Sequence, residues 1–204
     1  MTDFNTVIEA WDADGRTGGR HIHPLDPDTP EFWELGEQQA RQVRQYAPNG
    51  SRVVDFGCGI GRLTIPLAKM PFMEVVAVDA STHMLDGLAQ RATAAGVPVG
   101  SLNLVHSHGP GLADITGREV DVVVARAVLI HHDYEGVETI VTALAETLRE
   151  GGHFIADWPT GTPAERRSWI GVTYWHPHHR LAVARLAGLE PVDTAAEASV
   201  WRKA

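Results

Sequence analysis

Short, nearly uninterrupted apolar runs alternate along the chain with longer stretches in which apolar residues return every third or fourth position. Residues 53–56 (Val-Val-Asp-Phe), 74–79 (Glu-Val-Val-Ala-Val-Asp) and 120–125 (Val-Asp-Val-Val-Val-Ala) are of the first kind. Runs of that length without alternation predict strands of a parallel sheet covered on both faces. Residues 102–105 predict a weaker strand and 153–157 a fifth, after the turn Glu150-Gly151-Gly152. Residues 191–194 and 199–202 predict a short antiparallel finish.

The helical periods lie between these runs. Phe32, Leu35, Val43 and Tyr46 share one period from Pro30 to the stop Pro48-Asn49-Gly50. Residues 63–70 predict a return helix with Pro66 near its first turn, where proline is tolerated. Ser81 is the expected cap of a helix carrying Met84, Leu85, Leu88 and Ala92 and stopping at Gly96. Residues 138–149 predict another, with Ile140, Val141, Leu144 and Leu148 on one face, and residues 179–187 a last one that stops at Gly188. Before residue 31 the pattern predicts only a short helix near residues 6–11, followed by irregular chain.

Strands and helices in this order imply a doubly wound α/β fold. Its sheet is mostly parallel and seven-stranded, with helices on both faces and an antiparallel last strand. The chain reads as one domain, residues 1–204, made of an N-terminal helical and irregular lid (1–47) and a Rossmann-like core (48–204). In such sheets a ligand binds at the carboxyl ends of the strands.

Charge narrows the ligand. Twenty-six acidic against seventeen basic residues give a net charge of −9, which argues against nucleic acid or an anionic membrane as the main partner. A single cysteine, Cys58, excludes an intrachain disulfide framework and a cysteine-based zinc site. No apolar run reaches membrane-spanning length, and the opening Met1-Thr2-Asp3-Phe4-Asn5 lacks the regions of a signal peptide. These features place the protein in the cytoplasm, as a monomer or homodimer acting on a small molecule.

The first strand breaks into Gly57-Cys58-Gly59-Ile60-Gly61 before a helix, a backbone cradle for a ligand. A dinucleotide motif wants glycine where this chain has Arg62. Asp55, at the strand end, would repel a pyrophosphate and welcome an ammonium group. Asp79 ends the second strand, where a carboxylate can accept both hydroxyls of a ribose. A nucleoside with a positive tail is the implied ligand.

On these residues the chain resembles the class I S-adenosylmethionine-dependent methyltransferases, over roughly residues 53–158. The run from Val53 to Gly61 is similar to the family's glycine-rich first motif, and Val78-Asp79 to its ribose-binding acid. Ser81 and Met84 match the segment beside the adenine. Asp121-Val122-Val123-Val124-Ala125 with Val128-Leu129-Ile130-His131-His132 matches the fourth-strand motif bordering the transferred methyl. Leu148-Arg149-Glu150-Gly151-Gly152-His153 is similar to the turn before the fifth strand. The resemblance implies S-adenosyl-L-methionine as cofactor. It is held by Asp55, Gly57, Cys58, Gly59, Gly61, Arg62, Asp79, Ala80, Ser81, Met84, Ala125 and Arg126. Where the family commonly places an acid on the adenine amino group, this chain has Ser107-His108-Gly109, so His108 or a backbone carbonyl takes that contact.

Histidines and aromatic rings supply the remaining candidates. His131 and His132 are the first choice of general base, with His21 on the lid second, because neutral imidazole accepts a proton near pH 7. Trp11, His23, Trp158, Tyr174 and Trp175 are assigned to the acceptor pocket. Imidazoles with Asp133 have metal-binding chemistry, but we read the histidines as pocket and helix-opening residues and expect no metal. The expected activity is methyl transfer to an O-, N- or C-nucleophile of a small molecule by in-line displacement. Alternatives are a peptide or protein methyltransferase and a non-catalytic S-adenosylmethionine-binding protein. A nicotinamide-dependent oxidoreductase is disfavoured by Arg62 and Asp55.

Overall fold

The computed structural model describes residues 4–19, 24–97, 102–117, 119–160, 173–195 and 198–204. Seven strands form one sheet in the order β3-β2-β1-β4-β5-β7-β6. They are β1 (Arg52–Phe56), β2 (Glu74–Asp79), β3 (Leu102–His106), β4 (Val120–Ala125), β5 (Leu148–Asp157), β6 (Leu189–Asp193) and β7 (Ala198–Lys203). The chain falls into two compact units: Ile8–His108, and Gly109–Ala204 with the first residues of the chain.

In the unit Ile8–His108, β1 pairs in parallel with β2, and β2 with β3. The side chains of Val53, Val54 and Val75 to Val78 are fully buried, as expected for runs without alternation. Helix α2 (Pro30–Arg44) buries Phe32, Gly36, Gln39, Ala40 and Val43, and packs against the short α3 (Thr64–Ala68). This approach is close: a Cβ on Gly36 would collide with the carbonyl oxygen of Arg62. Helix α4 (Thr82–Ala94) buries Met84, Leu85, Leu88 and Ala92 and is followed by Gly96 at φ +75°. Helix α1 (Phe4–Arg16) is longer than the short helix that the sparse periodicity predicts.

In the other unit β4 pairs in parallel with β5, while β7 runs antiparallel to both β5 and β6. The helix between β4 and β5 departs from the sequence reading at both ends. Helix α6 (Tyr134–Thr147) starts one turn earlier than residue 138, because Asp133 caps it by accepting from the Gly136 amide at 2.9 Å. It also stops before Leu148 and Arg149, which were expected to be helical. Leu148 instead pairs with Val120, and Arg149 forms an ion pair of 2.7 Å with Asp121. Pairing to β4 thus overrides the helical period, and β5 runs through Gly151-Gly152. Helix α5 (Leu112–Thr116), between Gly111 and Gly117, is too short to leave a period and was not predicted. Helix α7 (Pro177–Leu186) opens on His176, whose ring accepts from the His178 amide at 3.3 Å. Among the described residues, no helix is long and apolar enough to cross a membrane.

Candidate active site

The glycine loop leaves β1 on two backbone hydrogen bonds: Gly57 and Cys58 both donate to the carbonyl of Val78, at 2.8 and 3.0 Å. Gly57, Gly59 and Gly61 have φ of 71°, 51° and 95°. Gly61 is doubly constrained, since a Cβ there would also run into Leu88 of α4. Cys58 lies buried within the loop, and burial drives its thiol pKa well up, with the charges of Asp79 and Asp55 adding to the effect. It is a packing residue there.

The two acids of the cradle do different work. Asp55 is buried and accepts from the Thr64 hydroxyl at 2.6 Å, which ties the end of β1 to the first residue of α3. Asp79 is 8% exposed and receives the amides of Gly59 (2.8 Å) and Ser81 (2.9 Å), one on each carboxylate oxygen. Burial raises its pKa, and the backbone amides of Ser81, Gly59 and Ala80 oppose that rise. A carboxylate oxygen has a second lone pair, so an oxygen occupied by one amide can still accept a hydroxyl. The positive-φ glycines and this anchored acid fit a ribose-bearing ligand.

The N-terminal segment lies on the α4 side of the cradle. Ser81 caps α4, accepting from the Met84 amide at 3.3 Å, and its hydroxyl donates to Asp12 at 2.8 Å. Asp12 also holds the His83 ring at 3.0 Å and Arg16 at 2.9 Å. The hydrogen bond from His83, then that from Ser81, lowers its pKa. Gly15 and Gly19 allow the approach, since a Cβ on either would crowd Ser81 and His83, or Ile60 and Met84. Trp11, assigned from sequence to the acceptor pocket, packs with Leu25 and Trp33 on the buried cluster of Phe32, Ile60 and Met84. Arg62 lies over the Phe32 ring, 5.4 Å from its centroid. His106 Nε2 lies 2.9 Å from the Ala80 carbonyl oxygen, and both His106 and His108 are exposed. Ser107 holds the turn through its amide, which donates to the Asp79 carbonyl at 3.0 Å.

In the unit Gly109–Ala204, Ala125 is buried at the end of β4, and the next residues are held by Asp157 at the end of β5. Asp157 accepts from Arg126 Nε at 3.1 Å and from the Ala127 amide at 2.8 Å, Ala127 having a φ of 58°. A 3-10 turn (Leu129–His131) follows. The two candidate bases part here. His132 is 7% exposed, and burial, aided by the charge of His131, pushes its pKa down to about 4 against the pull of Asp133. His131 is half-buried on the turn itself.

Trp158 follows β5 directly. It meets Trp175 at 5.6 Å in an edge-to-face pair, and Trp175 meets Tyr134 of α6 at 4.4 Å. The segment is pinned by the Trp175 amide on the Pro159 carbonyl (2.9 Å) and the Thr173 amide on the Ile130 carbonyl (2.7 Å). Trp158 and Trp175 are thereby brought close to the turn that carries His131, with the half-buried Tyr174 between Thr173 and Trp175. His21 and His23 lie outside the described residues. Among the described residues no group of histidines, cysteines and acids could hold a metal ion.

Sequence reasoning missed Asp12, Thr64 and Asp157. Asp157 had a visible signal, since an acid closes β5 as Asp79 closes β2. Asp12 had none, because Ser81 and His83 lie 69 and 71 residues away in the chain.

Residues 53–152 match the family model described as a methyltransferase domain. The chain is 26% identical to a ubiquinone biosynthesis O-methyltransferase of Ruegeria sp. (strain TM1040), over 92% of this chain and 80% of that one. It is 30% identical to a ribosomal protein L11 methyltransferase of Acetivibrio thermocellus over 83% of its own length, but spans only 51% of that relative. In fold it is similar to the magnesium protoporphyrin IX methyltransferase of Synechocystis PCC 6803 with bound SAH (TM-score 0.71, 18% identity, 98% of each chain). It is also similar to the CcbJ methyltransferase of Streptomyces caelestis (TM-score 0.72, 21% identity, 92% of this chain and 98% of that one). Together with the glycine cradle and its anchored acid, these matches make residues 53–152 a methyltransferase domain, with the fold of the class I S-adenosylmethionine-dependent enzymes.

Proposed function

We propose that the enzyme methylates a small-molecule acceptor, with Asp79 and the loop Gly57–Gly61 holding the cofactor and the β4 and β5 ends holding the acceptor. S-Adenosylmethionine, when bound, supplies a methyl group already activated on a sulfonium. The task left to the protein is therefore mainly positioning, which can supply roughly 7–11 kcal/mol. Asp79 and Ser81 would orient the nucleoside, Asp157 fixes the backbone after β4, and Trp158, Tyr174 and Trp175 wall the acceptor. For a hydroxyl acceptor, His131 takes the proton. His132 is neutral near pH 7 but, with a pKa of about 4, is too weak a base for that task. Loss of the base would cost about 10²–10⁴ in rate.

The anchored carboxylate of Asp79 is the observation that carries the cofactor assignment. Asp79→Ala should weaken S-adenosylmethionine binding at least tenfold by calorimetry, and unchanged affinity would refute it. His131→Ala at near wild-type turnover would remove the histidine base. A peptide acceptor is the second reading, favoured by the named target of the L11 relatives. Transfer of labelled methyl to protein rather than to small molecules in a cell extract would establish it.

A further inference from the structure

Two of the largest buried side chains end in donors that the fold leaves unpaired. Trp158 and Trp175 are each 1% exposed, and neither Nε1 has a hydrogen-bond partner among the described residues. The indoles of Trp201 and Trp33 are treated differently. Trp201, packed on Trp158 at 5.7 Å, donates to the Ser199 hydroxyl at 3.0 Å, which itself donates to the Ala156 carbonyl at 3.1 Å. Trp33 donates to the Pro27 carbonyl at 2.9 Å. An unmet buried donor costs stability, and where two adjoin in one cluster the cost points to a ligand.

A third donor stands beside them. Arg180 of α7 donates through Nη1 to the Trp158 carbonyl at 2.9 Å and through Nη2 to the Thr194 carbonyl at 3.3 Å. Its carbon Cζ lies 5.7 Å from the centre of the Trp201 ring. Among the described residues its buried Nε has no partner and no carboxylate pairs with its charge. Helix α7 holds His178, His179, Arg180 and Arg185 and no acid, in a chain of net charge −9. Every unmet group in the cluster is thus a donor, one of them cationic.

We infer that Trp158, Trp175 and Arg180 form a subsite for a carboxylate carried by the acceptor molecule. This rests on the small-molecule methyltransferase reading and deepens it. An ionised carboxylate is acceptor-only, with two oxygens to share among these donors, and a charged acceptor strengthens each hydrogen bond. The aromatic walls favour a planar acid over a tetrahedral anion.

Benzoate, benzamide and inorganic phosphate are suitable probes, read by the indole N–H signals of the isotopically labelled full chain. Trp158→Phe and Trp175→Phe assign the signals. Benzoate should move the Trp158 and Trp175 signals downfield and leave that of Trp201 in place, with benzamide binding about tenfold more weakly. Arg180→Gln should bring benzoate to the level of benzamide, and the benzamide comparison itself needs no variant. Signals unmoved by benzoate, or moved equally well by benzamide or phosphate, would overturn the subsite. S-Adenosylhomocysteine binding to the same sample separates the two claims. If it binds while benzoate does nothing, only the subsite falls; if it fails to bind, the methyltransferase reading falls.

Discussion

The hydroxyl of Ser81 donates a 2.8 Å hydrogen bond to Asp12, joining the first helix to the cap of α4 across 69 residues of chain. The Ser81 amide also holds Asp79, so the N-terminal segment is connected through one residue to the acid proposed to hold the cofactor. Asp12→Ala removes the acceptor of this bond and of those from His83 and Arg16. We expect cofactor affinity to fall about three- to tenfold and stability by about 1–2 kcal/mol. Calorimetry with S-adenosylhomocysteine and urea unfolding measure the two effects. An unchanged affinity would detach the N-terminal segment from cofactor binding.

Gly61 combines a left-handed backbone, φ 95°, with a Cβ direction blocked by Leu88. Gly61→Ala meets both strain and overpacking, so it should destabilise the fold by about 2–4 kcal/mol. Gly50 also has a positive φ (88°) but faces open space, so Gly50→Ala should cost less by the amount of the overpacking. Equal urea midpoints for the two variants would contradict the close packing of the loop on α4.

His132 predicts a pH dependence. Its folded pKa of about 4 lies below the ordinary 6.5, so between those values the unfolded chain binds a proton that the folded chain refuses. Stability therefore falls as pH drops through that window, by up to about 3 kcal/mol from this group. In His132→Gln the slope of stability against pH between 6.5 and 4 should be shallower, whatever its stability at neutral pH. Parallel slopes would show that His132 does not titrate as a buried imidazole.

Cys58 is the chain's single cysteine, and burial holds its thiol in the neutral form. The folded protein should resist a thiol reagent at pH 8, and one equivalent should react after denaturation. Rapid labelling of the folded chain would mean that the glycine loop opens to solvent.

The parallel core was legible because its strands carry unbroken apolar runs: β2 and β4 match residues 74–79 and 120–125 end for end. The cap Ser81 and the stop Gly96 were equally plain, being local chemistry of a helix end. Leu148 and Arg149 were misread for the opposite reason. They continue the helical period of α6, and only the neighbouring β4 makes them strand. Asp55, Asp79 and the glycines between them could be found in sequence, but Thr64 as the partner of Asp55 could not, since nothing in a hydroxyl's position announces which acid it will meet.

By itself the sequence determined the order of strands and helices, the glycine cradle and the acids at the strand ends, because all of these depend on residues close together in the chain. Tertiary structure alone decided what each polar group faces. It gave Asp79 to the amides of Gly59 and Ser81, bound Asp12 to Ser81, and separated His131 from the buried His132. It also paired the Trp201 indole with Ser199 while leaving those of Trp158 and Trp175 unmet among the described residues. Hydrogen bonding and desolvation depend on distance in space, and a pattern of side chains along one dimension holds no record of it.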